Sequence, residues 1–383
     1  MALRVGLNAL HIVPEETGGS ELYARRLVPA LLQAGGAELT LFASREGYPG
    51  FAAEPWADEL ELVRVPVNAR SRPRRVLAEQ TLLPREVRGR KLDLLHNLVT
   101  TAPAAPGVPQ VTTILDVIYK RFPETQRRVF TLGLTLLVPL AARRSRRVIA
   151  LSEAGKADVV QFLGVDPARV DVTYLGPGLA EVDDPMSEAE VRRALGLGAS
   201  PIVLTVSTKR PHKNLERLIA AFERLASVPA PVLVLPGFPT AFEPSLRRRA
   251  ETGPAADRIR FAGWVDDRTL DGLYRAADCF VFPSLAEGFG LPVLEAMRRG
   301  APVACSSASS LPEVGGDAVL YFDPEDTEGI TTAMAQLLSD AELRERLAAA
   351  GPEQAARFTW EATAAATLAS YERTVADPSS TRS

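Results

Sequence analysis

Along the chain, short apolar runs alternate with longer segments whose apolar positions recur at helical spacing. In the first half the runs RVGLNAL, ELTLFA, LELVRVP, LDLLHN, QVTTILD and RVIALS read as buried strands. Helices are expected over Ser20–Ala34, Val76–Arg88, Gln126–Arg144 and Glu153–Leu163. From Pro177 to Gly198 turn residues, acids and a short helical stretch interrupt the pattern, and the start of this segment reads as a linker. The alternation then resumes: strands PIVLTVS, PVLVLPG, RIRFAGW, CFVFPS and PVACS, and helices over Leu215–Ala226, from Pro244, over Arg268–Ala276 and over Pro292–Arg299. Two successive series of βα units predict an α/β chain of two Rossmann-like domains facing across a cleft, over residues 1–178 and 179–359. A last helix is expected near 360–376, followed by a polar tail, 377–383, expected to be disordered.

Composition narrows this only modestly. At 383 residues the chain is long for one core, and 46% hydrophobic with 24% charged residues is an ordinary soluble profile. A net charge of −3 argues against bulk nucleic-acid binding. Basic character is local, in RSRPRR (Arg70–Arg75) and RRSRR (Arg143–Arg147), either of which can be solvated charge. Cys279 and Cys305 lie in apolar runs and read as small buried hydrophobes. The N-terminus lacks the charged and apolar regions of a signal peptide, and the apolar stretch Val129–Ala142 is short and interrupted. A cytoplasmic protein is expected.

The first candidate for chemistry is LAEGFGLPVLEAMRRG, Leu285–Gly300, where seven residues separate Glu287 from Glu295. Pro292 suits the first turn of a helix and Gly300 its C-terminal end, which fixes a helix about eight residues long. Gly288 and Gly290 then precede its N-terminus, where backbone amides attract phosphate or sugar oxygens. Glu295 in a first turn would suit the helix dipole, but Glu287 beside an anion site needs a reason. One reason is hydroxyl recognition, since a carboxylate accepts hydrogen bonds from a polyol. A nucleotide-sugar carries both a pyrophosphate and two polyols. A solvated Glu287 remains the alternative.

The second candidate is STKRPHKNLERLIAAF, the first βα turn of the second domain, which holds Lys209, Arg210 and Lys213. Only five of the 44 Lys and Arg residues are lysine, and two of them lie four apart in this loop. Cations there would neutralise a diphosphate leaving group, unless the loop is merely solvated. Neither a Walker sequence nor a full G-x-G-x-x-G is present, which disfavours a P-loop ATPase or a dinucleotide enzyme.

Together these residues resemble the retaining glycosyltransferases of family four, which have the GT-B architecture. The likeness runs almost continuously from FAGWVDDRTLDGLYRAADCFVFPS through LAEGFGLPVLEAMRRG to VLYFDPED, and includes VSTKRPHKNLERLIAAF. In the first half TGGSELYARRL, DLLHN, VTTILDVIYKRFPE and VIALSEAGKADVVQFLGV match less tightly. The resemblance implies that Lys213, with Arg210 or His212 and near Ser207, holds the donor pyrophosphate. It implies that Glu295 binds ribose and that Glu287 contacts the donor sugar, beside the amides of Gly288, Phe289, Gly290 and Leu291. The backbone at Trp264 and Val265 would line the base, and Gly18 and Gly19 would admit the donor phosphates and acceptor. Glu287, Lys213 and Asp116 are the expected catalytic positions, and His96 and Arg72 the expected acceptor contacts. The last helix is expected to pack back on the first domain. No cofactor or metal is expected; the co-substrate is a nucleotide-diphosphate sugar, with GDP, UDP or dTDP undecided.

One departure stands out. Related sequences commonly carry histidine where this chain has Leu115, before Asp116. Leucine could pack on a methyl group, so a 6-deoxyhexose donor is one expectation and mannose another. Asp116 could serve the site or only a strand end. The acceptor could be a glycan, a lipid-linked chain or a small molecule, and RSRPRR could meet a membrane surface. Rival readings are a nucleotide-sugar epimerase of the same fold and a catalytically weak nucleotide-sugar-binding partner subunit.

Overall fold

The computed structural model describes residues 2–14, 16–122, 128–226 and 229–376, the side chains of 128–132 excepted. The expected start of the Gln126–Arg144 helix and the 377–383 tail fall outside the described residues. The chain divides into two compact units, one running to Gly178 and resumed from Thr359, the other spanning Leu179–Phe358.

The first unit is built on a seven-stranded parallel sheet: β1 (Leu3–Ala9), β2 (Ala37–Ala43), β3 (Glu61–Arg64), β4 (Leu94–Asn97), β5 (Gln110–Ile114), β6 (Arg147–Ala150) and β7 (Val170–Val172), in the order β3-β2-β1-β4-β5-β6-β7. The second holds a six-stranded parallel sheet: β8 (Ile202–Leu204), β9 (Val232–Pro236), β10 (Ile259–Gly263), β11 (Cys279–Phe282), β12 (Val303–Ser306) and β13 (Leu320–Phe322), in the order β10-β9-β8-β11-β12-β13. Each sheet has one strand more than the apolar runs predict. The extra strands, β7 and β13, are three-residue edge strands and only partly buried, unlike the equally short but fully buried β8.

In each unit the chain winds outward from its first strand and then restarts on that strand's other side. The switch points, where ligands bind in such sheets, are therefore β1/β4 and β8/β11. Strands at these centres are covered on both faces and read as continuous apolar runs. Helices close over them through cores such as Leu10, Phe42, Leu83 and Val87 in the first unit and Val203, Phe222, Leu235 and Val281 in the second. Local signals fix the helix ends. Ser152 accepts from Gly155 N at 2.9 Å to start Glu153–Leu163, and Gly164, at φ 67°, ends it. Both cysteines are buried and unpaired, and among the described residues no helix is long and apolar enough to cross a membrane.

The Trp360–Ala376 helix belongs to the first unit. Trp360 Nε1 donates to Pro177 O at 2.9 Å and Thr363 Oγ1 to Tyr174 O at 2.7 Å. Farther along, the Tyr371 hydroxyl meets His96 Nδ1 at 2.7 Å, and His96 Nε2 meets Thr113 Oγ1 at 2.8 Å. His96 is wholly buried. The expected acceptor contact at His96 is thus corrected: both ring nitrogens are spent tying β4 and β5 to the last helix.

Burial pulls the His96 pKa from 6.5 to about 3, so the imidazole is neutral in the native state. The unfolded chain takes up that proton first, and stability falls as pH drops from 6.5 towards 3. Replacing His96 by leucine should lower unfolding stability at pH 7.5 by about 1–3 kcal/mol, because the buried Tyr371 hydroxyl loses its partner while Thr113 keeps its bond to Tyr23. It should also flatten the acid slope. Urea titrations of both proteins at pH 7.5, 5.5 and 4.5 check this; parallel slopes would show that His96 does not titrate as argued.

Candidate active site

The loops after β8 and β11 form the switch point of the second unit. After β8 the chain makes a short 3-10 turn, Pro211–Lys213, and enters the Leu215–Glu223 helix through Asn214, which has φ 60°. Asparagine tolerates that left-handed conformation, and its side chain uses it. Asn214 Nδ2 donates to Pro283 O at 3.1 Å and to Pro324 O at 2.7 Å. Leu285 N donates to His212 O at 2.8 Å, and Ser284 Oγ donates to the same oxygen at 3.2 Å. The two loops are therefore sewn together before any charged group acts.

Across that seam Lys213 Nζ meets Glu287 Oε1 at 2.5 Å, with side chains only 13% and 10% exposed. The ammonium also lies 5.3 Å from the centre of the Phe282 ring. Glu287 is thus compensated rather than stranded. Its backbone is held from below: Ser309 Oγ and Ser310 Oγ donate to Glu287 O at 2.8 and 3.2 Å, and Ser310 Oγ reaches Phe289 O at 2.7 Å. Gly290, at φ 112°, then caps the Leu291–Arg298 helix, with no side-chain hydrogen bond to that N-terminus. A Cβ on Gly290 would lie 2.6 Å from Leu311 Cδ2.

Among the described residues three buried polar atoms in the segment after β8 have no partner, Thr205 Oγ1, Ser207 Oγ and His212 Nδ1. His212 is kept neutral, its pKa drawn to about 4 by burial, then by Lys213 and Arg210 against the opposing pull of Glu287. Arg210 is exposed. Lys209 departs from expectation. It is buried, and its Nζ donates to Ser207 O at 2.9 Å and Pro236 O at 2.6 Å. Burial holds its pKa down at about 8. It props the loop from inside instead of adding a charge to the site.

Glu295 also needs correction. It is the fifth residue of its helix, outside the first turn, and nearly buried. Oε1 accepts from Leu179 N and Oε2 from Tyr274 OH, both at 3.0 Å, which leaves one lone pair on each oxygen. Burial raises its pKa. Beyond β10, Trp264 is 60% exposed, next to half-buried Val265, and its ring centre lies 6.1 Å from that of exposed Phe238, beyond β9. The sequence reading missed Phe238; a lone aromatic after a strand gave no sign that it would pair.

In the first unit Gly18, at φ 51°, opens the Gly19–Ala34 helix, and both glycines are exposed with open space where a Cβ would project. Asp116, exposed beyond β5, accepts from Ile118 N at 3.0 Å, and Leu115 beside it is half-buried. Arg72 is exposed at the start of the Arg72–Gly89 helix. Of the expected positions, the structure brings together Ser207, Arg210, His212, Lys213 and Glu287, with Gly288 to Leu291 on the adjoining turn. Gly18, Gly19, Arg72 and Asp116 belong to the first unit.

Two family models match the chain: "Glycosyltransferase Family 4" over residues 17–177 and "Glycosyl transferases group 1" over residues 187–354. O-antigen chain mannosyltransferase B of Escherichia coli is 35% identical over 234 residues, 60% of this chain and 61% of that protein. MMP alpha-(1->4)-mannosyltransferase of Mycolicibacterium hassiacum is 29% identical over 239 residues, 61% of this chain and 56% of that protein. The match thus spans less than two thirds of either relative. Among solved structures, Anabaena Alr3699/HepE in complex with UDP and glucose superposes with a TM-score of 0.76 at 19% identity, over 97% of this chain and all (100%) of that one.

The β8 loop depends on close backbone approach at Gly237, whose φ is 124° and whose added Cβ would lie 2.1 Å from Ser207 O. Gly237→Ala should therefore cost about 2–4 kcal/mol of stability, whereas Gly18→Ala, strained but unobstructed, should cost about 1 kcal/mol. Denaturant unfolding of the two variants checks the difference.

Proposed function

The chain belongs to the family-four glycosyltransferases and has their GT-B fold, and on that premise we propose that it transfers a hexosyl group, of the mannose class, from a nucleotide-diphosphate sugar with retention of configuration. The observation that carries this is the buried Lys213–Glu287 pair at the switch point of the second unit, on a loop that also holds unpartnered buried polar atoms. The carboxylate positions the ammonium and balances its charge, so a second anion would share Lys213 with Glu287 and draw further charge from Arg210. A diphosphate would take Lys213 and Arg210 as counter-charges, the N-terminal amides of the Leu291–Arg298 helix as donors, and the orphaned Ser207 Oγ and His212 Nδ1 as further partners. Glu287 then faces the sugar, where it accepts from hydroxyls, and Glu295 offers its spare lone pairs to ribose. Trp264 and Phe238 offer the base an apolar face.

In the reaction the bond from the anomeric carbon to the diphosphate oxygen breaks, and its electron pair stays on the diphosphate. Lys213 and Arg210 stabilise the charge that builds there. The acceptor hydroxyl adds on the same face, and its proton passes to the departing diphosphate oxygen. The acceptor is assigned to the first unit, whose exposed Gly18–Gly19 turn and Arg72 leave room for a glycan, lipid-linked or small-molecule substrate. The mannosyltransferase names of both curated relatives favour mannose. Leu115 favours a donor with a methyl group at the sixth carbon, and turnover of GDP-mannose against its 6-deoxy counterpart separates the two.

Calorimetry with GDP, UDP and dTDP should show one clear preference, bound without added metal. Lys213→Met should weaken that nucleotide at least tenfold and lower kcat/KM by about a hundredfold or more. Glu287→Gln should keep nucleotide affinity within a few fold and lose turnover. An epimerised donor formed without acceptor, an inverted product by NMR, or binding of no nucleotide would overturn the reading.

A further inference from the structure

The switch point of the first unit, β1/β4, also carries buried polar groups that lack partners. His11, in the loop after β1, is only 7% exposed, and neither ring nitrogen has a hydrogen-bond partner. The chain's other wholly internal histidine shows what a structural one looks like, since both nitrogens of His96 are satisfied. Near His11, the Arg72–Gly89 helix turns two side chains inward. Glu79 is buried, and its Oε1 accepts from Asn8 Nδ2 at 2.9 Å and Thr101 Oγ1 at 3.2 Å. Asn8 Nδ2 is in turn fixed by Asn97 Oδ1 at 2.9 Å. One turn earlier, Arg75 has a buried Nε without a partner, and among the described residues its guanidinium makes no ion pair.

The pieces come from the ends of β1 and β4 and the helix that follows β3, so the fold places them at one sheet edge. Arg75 lies close enough to His11 to deepen the fall that burial imposes on the imidazole, whose pKa is about 3. A neutral imidazole offers one donor and one acceptor, and a guanidinium offers only donors. Glu79 attracts the guanidinium but makes no ion pair with it, and burial, the larger effect, pushes the Glu79 pKa up. These groups match a ligand with negatively charged acceptor atoms and a hydroxyl beside them.

We propose that His11 and Arg75 form an oxyanion subsite in the first unit, which binds a phosphate or carboxylate group carried by a hydroxylated acceptor. Arg75 takes the anion through its fork, and His11 donates to the same group or accepts from the neighbouring hydroxyl. Glu79, held by Asn8 and Thr101, is a positioning residue that fixes the helix face from which Arg75 projects. Calling the ligand an acceptor rests on the glycosyltransferase reading; the anion site does not.

The chain has three histidines, so their ring Cε1–H signals can be assigned singly by replacing His11 and His212 with glutamine. Inorganic phosphate, and separately acetate, would be titrated into the full-length protein saturated with its preferred nucleotide, at constant ionic strength set with chloride. The proposal expects a saturable shift of the His11 signal with one of the two anions, which also tells phosphate from carboxylate. The His96 signal should stay fixed as the internal reference. Arg75→Gln should weaken the anion at least tenfold while leaving the His96 signal in place. Should that variant fail to fold, Arg75→Lys, which keeps the charge and loses the fork, should still bind several-fold more weakly. A His11 signal indifferent to both anions, or wild-type affinity in the Arg75 variants, overturns the site. The nucleotide step reads the His212 signal instead, so a failed donor reading and a failed anion site give different results.

Discussion

The candidate site depends on one ion pair across a backbone seam. Lys213 and Glu287 come from loops 74 residues apart in the chain, and they meet because β8 and β11 are neighbours at the point where the sheet reverses its winding. The pair would be costly if it were the only thing joining those loops, since two largely buried charges lose their hydration. It is not alone. Asn214 and the Leu285 amide already fix the loops through carbonyls, and Ser309 and Ser310 hold the Glu287 backbone. The charges are thus placed by neutral hydrogen bonds, and their electrostatics remain available to a ligand. A carboxylate can then sit beside an anion-binding helix end, because the lysine that balances it is also the group that would receive the phosphate.

Much of this was legible because parallel sheets write themselves as apolar runs, and because proline and glycine mark helix ends. The eight-residue helix that begins at Leu291 could be read from Pro292 and Gly300. The short edge strands β7 and β13 could not, since each pairs on one side only and is partly exposed, without the continuous apolar run that marks the equally short β8. Polar residues after strands were harder still. Lys209 and Lys213 share a loop and a residue type, yet one props backbone from within and the other faces the site. What separates them is the carbonyl of Pro236, 27 residues farther on, which no local pattern encodes. His96 was misassigned for the same reason, because its partner Tyr371 lies 275 residues away. The sequence indicates which residue types gather at a sheet edge. Only the packing tells which of them are already satisfied.

That distinction carries the functional argument further than residue identity does. A buried polar atom without a partner costs stability, about 1–3 kcal/mol as a rule, and native structures hold few of them. In this chain such atoms recur at both switch points: Ser207 and His212 in the second unit, His11 and Arg75 in the first. The fully engaged His96 shows that a histidine in this fold can be satisfied internally when its role is structural. An orphan group at a switch point represents a cost that a ligand with matching donors or acceptors would offset; Tyr119, Thr173 and Glu243 carry such atoms elsewhere. Such a ligand binds more tightly than its contact area alone would give, because it supplies partners that no other part of the unit supplies. It also follows that substituting an orphan group is less damaging to the fold than substituting a satisfied one. Loss of Ser207 Oγ or of the His212 ring strips a partner from the ligand but none from the protein, whereas loss of His96 strands the Tyr371 hydroxyl and leaves Thr113 only its bond to Tyr23.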